Sequence, residues 1–166
     1  MSETPDLCRD IQMKLPDALW ALDEWSRYRS GKFCRDFATF EPEGEARRTY
    51  LFAVLEVPLP EEADVFTWGI WAEVSPEDHN LYLDRIQTPG AEGLVFEGRI
   101  ANEVPGAEDA FGSRVRIRCF ADRRPAAEAL EGTLAEAQRK GLTLAEHEAL
   151  DQLLFGDDEA DADDLE

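Results

Sequence analysis

Apolar and polar residues alternate along this chain with two different periods, and each period predicts a different element. The most regular alternation runs from residue 65 to residue 74, and a period of two is typical of a strand. The apolar side chains that fall on one face of this segment are Phe66, Trp68, Ile70, Ala72 and Val74. We therefore expect residues 65–74 to form a strand with one face in the core.

Four further segments have the composition and alternation of strands. They cover residues 32–40, 49–57, 94–100 and 113–121. Residues 49–57 are apolar on both faces, which is typical of a central strand that is at least partly covered on both sides. Prolines at positions 58 and 60 are expected to end this strand, because proline cannot donate a ladder hydrogen bond.

Four regions predict helices. Apolar residues recur every third position between Pro16 and Arg29, and Ser75-Pro76 opens a helix that ends before Thr88. Residues 126–140 read as a helix with a possible break at Gly132. A further helix over 143–155 begins with Thr143 and Glu146, the spacing of a capping box.

These elements predict one α+β domain. Consecutive strands joined by short turns favour antiparallel pairing, so we expect a mainly antiparallel sheet of about five strands with three to four helices packed on it. A length of 166 residues fits a single domain, which we place at 1–155. The last eleven residues, 156–166, hold seven acids and are expected to be a disordered tail, which either solubilises the protein or docks into a basic partner.

The charge balance excludes several function classes. With 37 acidic and 17 basic residues the formal net charge is -20, which argues against binding to nucleic acid or to an anionic membrane surface. No apolar run is long enough for a transmembrane helix, and the first residues do not resemble a signal peptide. The widely spaced Cys8, Cys34 and Cys119 indicate reduced thiols and a cytoplasmic protein, without a disulfide or a metal site.

Motifs that carry known chemistry are missing from the chain. The glycine-rich nucleotide loops, the zincin helix and the nucleophile elbow do not occur, so we assign no cofactor and no catalytic residue. Asp78 and His79 are adjacent, but neighbouring helical residues do not face each other. His147 is expected at a helix surface or half-buried. These observations argue against an enzyme but do not decide whether the protein is one.

Two features are candidate binding sites. Trp71 lies beside Gly69 on the second face of its strand, so it forms either a platform for a ligand ring or a surface that a helix bearing Trp20 and Trp25 covers. Arg114, Arg116 and Arg118 alternate along one strand, about 6.5–7 Å apart. This arginine row either clamps an anion or forms ion pairs with acids on adjacent strands, such as Glu97.

Several short motifs resemble one known family. In chain order they are Trp68-Gly69-Ile70-Trp71, Glu73-Val74-Ser75, Asn102, Pro105-Gly106, Arg124-Pro125 and Gln138-Arg139-Lys140-Gly141-Leu142-Thr143. Over residues 48 to about 150 the chain resembles a bacterial family catalogued as domain of unknown function 2199. Members often begin with a C-x-x-C knuckle that suggests zinc, but only Cys8 stands there in this chain. The resemblance therefore implies a shared fold unit. It carries over neither a metal site nor a reaction.

Two main hypotheses for function follow. The first is a non-catalytic acidic protein-interaction domain of inhibitor, immunity or regulatory type, whose basic protein partner is steered by charge. The alternative is a small-molecule-binding protein or enzyme that uses Trp71 as a platform and the row Arg114, Arg116 and Arg118 as an anion clamp. Structural assembly through an exposed sheet edge is a third reading, and the sequence leaves the oligomeric state open.

Overall fold

A computed structural model describes residues 7–42, 44–85 and 92–164 of the chain, with the side chains after residue 156 outside that description. The strands are β1 Asp10–Gln12, β2 Gly31–Phe33, β3 Phe37–Phe40, β4 Arg48–Leu59, β5 Asp64–Val74, β6 Val95–Ile100, β7 Arg114–Arg118 and β8 Ala126–Ala129. The helices are α1 Asp17–Trp20, α2 Glu24–Ser30, α3 Pro76–Arg85, α4 Gly132–Lys140 and α5 Leu144–Asp164, with a 3₁₀ turn, η1, at Pro60–Glu62. The predicted α+β content is confirmed.

Five of the strands close into a barrel. Strands β4 to β8 follow one another as antiparallel neighbours, and β8 then pairs with β4 in parallel. In a meander of five strands the first and last run in the same direction, so closure requires this parallel pair. The predicted sheet of mainly antiparallel strands with helices packed on it is therefore wrong: the sheet is mixed and closed.

Alternate side chains of the five strands fill the barrel. Those of the long strands β4 and β5 are Leu51, Ala53, Leu55, Val57, Leu59, Phe66, Trp68, Ile70, Ala72 and Val74. Because a barrel this narrow encloses only side chains, its interior is a packed core. The strands predicted at 49–57 and 65–74 are confirmed. Strand β4 nevertheless continues through Pro58 to Leu59, beyond its predicted end.

Strand β8 was predicted as part of a helix over residues 126–140. Its sequence, Ala-Ala-Glu-Ala, has a strong helix propensity. The segment is extended because it lies between β7 and β4 and closes the barrel. Gln138 of α4 secures it: its side chain accepts a hydrogen bond from the Ala129 amide and donates to the carbonyl oxygens of Ala127 and Glu56. Tertiary contacts thus override local propensity here.

The single helix predicted between Pro16 and Arg29 is also wrong. The chain forms two short helices, α1 and α2, and the Asp23 carboxylate caps α2 by accepting a hydrogen bond from the Ser26 amide at 2.8 Å. Strand β2 follows directly and forms a hairpin with β3, where one strand was expected. Leu19 is fully buried, whereas Trp25 and Tyr28 are about 70% exposed, so the spacing of three did not mark a buried face.

The predicted helix starts at Ser75 and Thr143 are confirmed. Ser75 accepts a hydrogen bond from the Asp78 amide at the start of α3. Thr143 and Glu146 cap α5 reciprocally, each side chain accepting from the other residue's amide. The predicted end of the first of these helices lies outside the described residues. The division into a domain at 1–155 and a disordered tail at 156–166 stays a prediction.

A second core lies on the outside of the barrel. Residues 9–22 cross the outer face of β4 and β5, where Leu15 and Leu19 pack against Tyr50, Phe52 and Trp71. Strand β1 of this N-terminal segment pairs in parallel with β5 at residues 67–69. The long hairpin of β4 and β5 is consequently buried on both faces, as the apolar pattern of 49–57 predicted.

Asn102 joins the N-terminal segment to the barrel. Its side chain accepts a hydrogen bond from the Trp71 amide at 2.8 Å and donates to the Leu15 carbonyl oxygen at 2.9 Å and to Asp17 at 3.0 Å. The Asp17 carboxylate also accepts from the Glu103 amide at 2.7 Å. Since Asn102 is only 1% exposed, these bonds form away from water and have few competitors.

The start of the N-terminal segment is held by His147 of α5, which is fully buried rather than at the helix surface or half-buried as expected. One ring nitrogen lies 2.7 Å from a carboxylate oxygen of Glu62, and the other lies 2.7 Å from the carbonyl oxygen of Cys8. Arg9 forms an ion pair with the same carboxylate at 2.9 Å. These contacts tie the start of β1, η1 and α5 together.

Replacing Asn102 with alanine is expected to destabilise the protein strongly. The substitution leaves the Trp71 amide and the Leu15 carbonyl oxygen buried without this partner. Each buried unsatisfied group costs about 1–3 kcal/mol, so we expect the free energy of unfolding to fall by about 2–4 kcal/mol. Urea unfolding of the variant and the parent measures the difference.

Glu128→Ala is the control for this experiment. It removes the exposed ion pair between Arg116 and Glu128, which spans 3.1 Å, and should cost less than about 1 kcal/mol. An Asn102→Ala variant as stable as this control would show that the junction does not hold the N-terminal segment.

Candidate functional site

A cleft with a volume of about 550 Å³ lies between the N-terminal segment and the outer wall of the barrel. We call it the Trp71 cleft. Its lining consists of Gln12, Met13, Lys14, Leu15, Trp20, Glu24, Arg27, Tyr28, Phe33, Cys34, Arg35, Phe52, Trp71 and Arg124. Five of these residues are aromatic and four carry a positive charge. The volume falls within the range of small-molecule sites.

Trp71 belongs to the inner wall of the cleft and is only 1% exposed. Its indole N–H donates to the Met13 carbonyl oxygen at 3.0 Å, and its ring meets Phe52 edge to face, with centroids 5.5 Å apart. The N-terminal segment therefore covers most of the ring. Trp20 and Trp25, expected on a covering helix, are instead 54% and 71% exposed.

The expected gap beside Trp71 is filled by the protein itself. The ring of Phe52 leans over Gly69, so closely that an added Cβ would collide with it, and Gln12 would lie 3.0 Å from the same Cβ. Glycine is needed here because the aromatic ring occupies the space of a side chain. Trp71 therefore lines the neighbouring cleft, while the surface above Gly69 is occupied by the Phe52 ring.

Two of the cleft's arginines stack on its aromatic rings. The Arg124 guanidinium lies 4.5 Å from the centre of the Phe52 ring and forms an ion pair with Asp36 at 3.3 Å. The Arg27 guanidinium lies 4.7 Å from the Trp20 ring and donates to the carbonyl oxygens of Leu19 and Trp20. A guanidinium group stacked on an aromatic ring is held only weakly, but the contact fixes the orientation of the guanidinium group relative to the ring.

The predicted arginine row does not contribute to this cleft. Arg114 pairs with Glu97 at 3.0 Å and Arg116 with Glu128 at 3.1 Å, both across strands. Arg118 is exposed at the end of β7. The structure therefore brings Trp71 together with Arg27, Arg35 and Arg124, and places the row on β7, away from the cleft lining.

His79 does not form an acid–base pair with Asp78. It is 1% exposed and meets the edge of the Phe37 ring, with centroids 6.1 Å apart. Burial, together with the charge of Arg47, lowers the pKa of His79, and its ring nitrogens have no hydrogen-bond partner among the described residues. The neutral imidazole is thus a core residue. No three metal-ligating side chains come together in the part of the chain that the structure describes.

Sequence comparison identifies the family. Residues 2–142 match the model of DUF2199, described as uncharacterised proteins conserved in bacteria. The chain belongs to this family. No curated protein and no solved structure matches the chain. Within the described residues no helix has the length and apolarity needed to cross a bilayer. Family membership supplies no activity, so the cleft is the main guide to function.

Several cleft residues could not be found from the sequence. Phe33, Arg35 and Arg124 come from β2, the β2–β3 turn and the loop before β8, and only the hairpin and barrel closure bring them to Trp71. One feature of the sequence pointed to Arg124. Arg124-Pro125 lies within the basic stretch 113–125 and follows the arginine row on β7. Nothing local indicates that Arg124 lies against Phe52 while Arg114 does not.

Gly69→Ala should destabilise the protein by about 1–3 kcal/mol, because the new methyl group overlaps the Phe52 ring. The companion variant Phe52→Leu removes that ring. In the double variant the collision is gone, so we expect the cost of Gly69→Ala to fall by at least half. A double-mutant cycle of urea unfolding measures this coupling. Equal costs of Gly69→Ala in both backgrounds would contradict the proposed contact.

Proposed function

We propose that this protein binds a small molecule in the Trp71 cleft. The observation that carries the proposal is the collection of five aromatic side chains around one cavity of about 550 Å³. Three of them, Trp20, Tyr28 and Phe33, are between 39% and 70% exposed, although large aromatic side chains usually lie in the core. Exposed rings around a cleft are typical of a binding surface.

The proposed role is binding rather than catalysis. The cleft offers aromatic surface and fixed cations, but it contains no histidine, and its single carboxylate is that of Glu24. General acid–base catalysis needs a group that can exchange a proton near the reacting atoms. Cys34 has no histidine beside it in the cleft, and histidine is the base that activates a catalytic cysteine in a Cys–His pair. A sensor, carrier or ligand-controlled regulator fits this set of residues.

Cys34 offers a direct readout of ligand binding. It is exposed and lines the cleft, whereas Cys8 is half-buried outside it. Burial raises the pKa of the Cys119 thiol to about 11, so that thiol should react only after unfolding. At mildly alkaline pH we expect iodoacetamide to label Cys34 first. Anilinonaphthalene sulfonate, at about ten times its Kd, should slow this labelling about tenfold and leave Cys8 unchanged, as mass spectrometry would show.

Two exposed aromatic residues of α2 provide a matched pair of variants. Tyr28 lines the cleft and Trp25 does not, and both are about 70% exposed. Tyr28→Ala should weaken the protection of Cys34, whereas Trp25→Ala should leave it unchanged. Equal protection in both variants, or none in the parent, would contradict ligand binding in the Trp71 cleft.

A second candidate function is supported by the charge of the chain. A net charge of -20 would steer a basic protein toward this domain, as expected of an acidic inhibitor, immunity-type or regulatory protein. Retention of a basic protein at low salt and its release at high salt would support this role, and no retention at low salt would argue against it. We also propose a cytoplasmic location, since Cys8, Cys34 and Cys119 are all unpaired.

A further inference from the structure

We propose that the ligand of the Trp71 cleft is an aromatic anion, a planar ring that carries a carboxylate or a similar acidic group. The inference rests on the proposed function and adds the charge of the ligand. It starts from an imbalance: the lining contains four cationic side chains and one acidic side chain, in a chain whose net charge is -20. This cleft is thus a locally basic surface on an acidic protein.

Two of the four cations already have partners. Arg124 forms an ion pair with Asp36, and Arg27 donates two hydrogen bonds to backbone carbonyl oxygens. Both guanidinium groups lie over aromatic rings of the cleft. They shape the wall and contribute positive potential, but their hydrogen-bonding capacity is largely used within the protein.

The other two cations are available to a ligand. Lys14 and Arg35 are exposed, and neither side chain forms a hydrogen bond or an ion pair with a described side chain or backbone group. They come from different segments, Lys14 from the stretch after β1 and Arg35 from the β2–β3 turn. A guanidinium and an ammonium group that line one cleft can hold a carboxylate by charge-assisted hydrogen bonds.

The aromatic residues account for the rest of the ligand. Tyr28 and Phe33 offer exposed ring surface to a second ring, which would stack on them or meet them edge to face. A ligand that combines a ring with an acidic group uses both features of the cleft. A cationic ligand would be repelled by Lys14 and Arg35, and Glu24 is the one acidic side chain of the lining.

Two probes of nearly identical shape test the inference. Naphthoate carries a carboxylate, and naphthamide replaces it with a neutral amide. We expect naphthoate to bind about tenfold more tightly, because one charge-assisted hydrogen bond is worth roughly that factor in affinity. In the variant Lys14→Gln/Arg35→Gln the affinity for naphthoate should fall about tenfold, while that for naphthamide stays the same. Protection of Cys34 from alkylation measures both affinities.

Arg118→Gln serves as the control, because it removes an exposed cation outside the cleft and should change neither affinity. Thermal melting of each variant verifies that it is folded. Equal binding of the two probes, or no effect of Lys14→Gln/Arg35→Gln on naphthoate, would overturn the aromatic anion and leave the proposed function standing. If neither probe protects Cys34, the proposed function fails as well.

Discussion

The fold depends on the hydrogen bonds along one edge of β5, the edge that faces away from β4. This edge pairs first with β1, at residues 67–69, and then with β6, from Ala72 onward. Between the two partners the Trp71 amide bonds to the Asn102 side chain, and the Trp71 carbonyl oxygen accepts from the Ala101 amide. Because a buried amide without a partner is costly, this junction lets β5 serve both the barrel and the N-terminal segment.

The cleft is a consequence of that arrangement. The N-terminal segment runs over the outer face of β4 and β5 and buries Trp71, while the β2–β3 hairpin continues the sheet beside β4. The space left between these two attachments is the Trp71 cleft. Its charge differs from that of the protein as a whole, because Lys14, Arg27, Arg35 and Arg124 meet there from four segments. A net charge of -20 therefore describes the surface poorly at this point.

Local patterns predicted the two long strands and two helix starts well, and the short elements and long-range pairings poorly. The strands at 49–57 and 65–74 and the caps at Ser75 and Thr143 depend on neighbouring residues, and all are confirmed. Strand β8 was missed because its alanines favour a helix, and β1 because three residues carry no clear pattern. A role for Trp71 in ligand binding stays a prediction, but this lining residue of the cleft was singled out from the sequence. The cationic residues near Trp71 were not singled out, because alternation identifies the residues of one strand and not those that closure of the barrel brings from other segments.

The most direct test of this account is hydrogen exchange at the Trp71 backbone amide in the native protein, measured by NMR. If the Asn102 side chain keeps its hydrogen bond to the Trp71 amide, this amide should exchange as slowly as the other buried amides of β5. The Trp71 indole N–H, which donates to the Met13 carbonyl oxygen, should also be protected. The account would be contradicted if both groups exchanged as fast as exposed loop amides while the rest of β5 stayed protected. That result would mean that the N-terminal segment does not stay on the barrel and that the cleft is not a lasting feature of the fold.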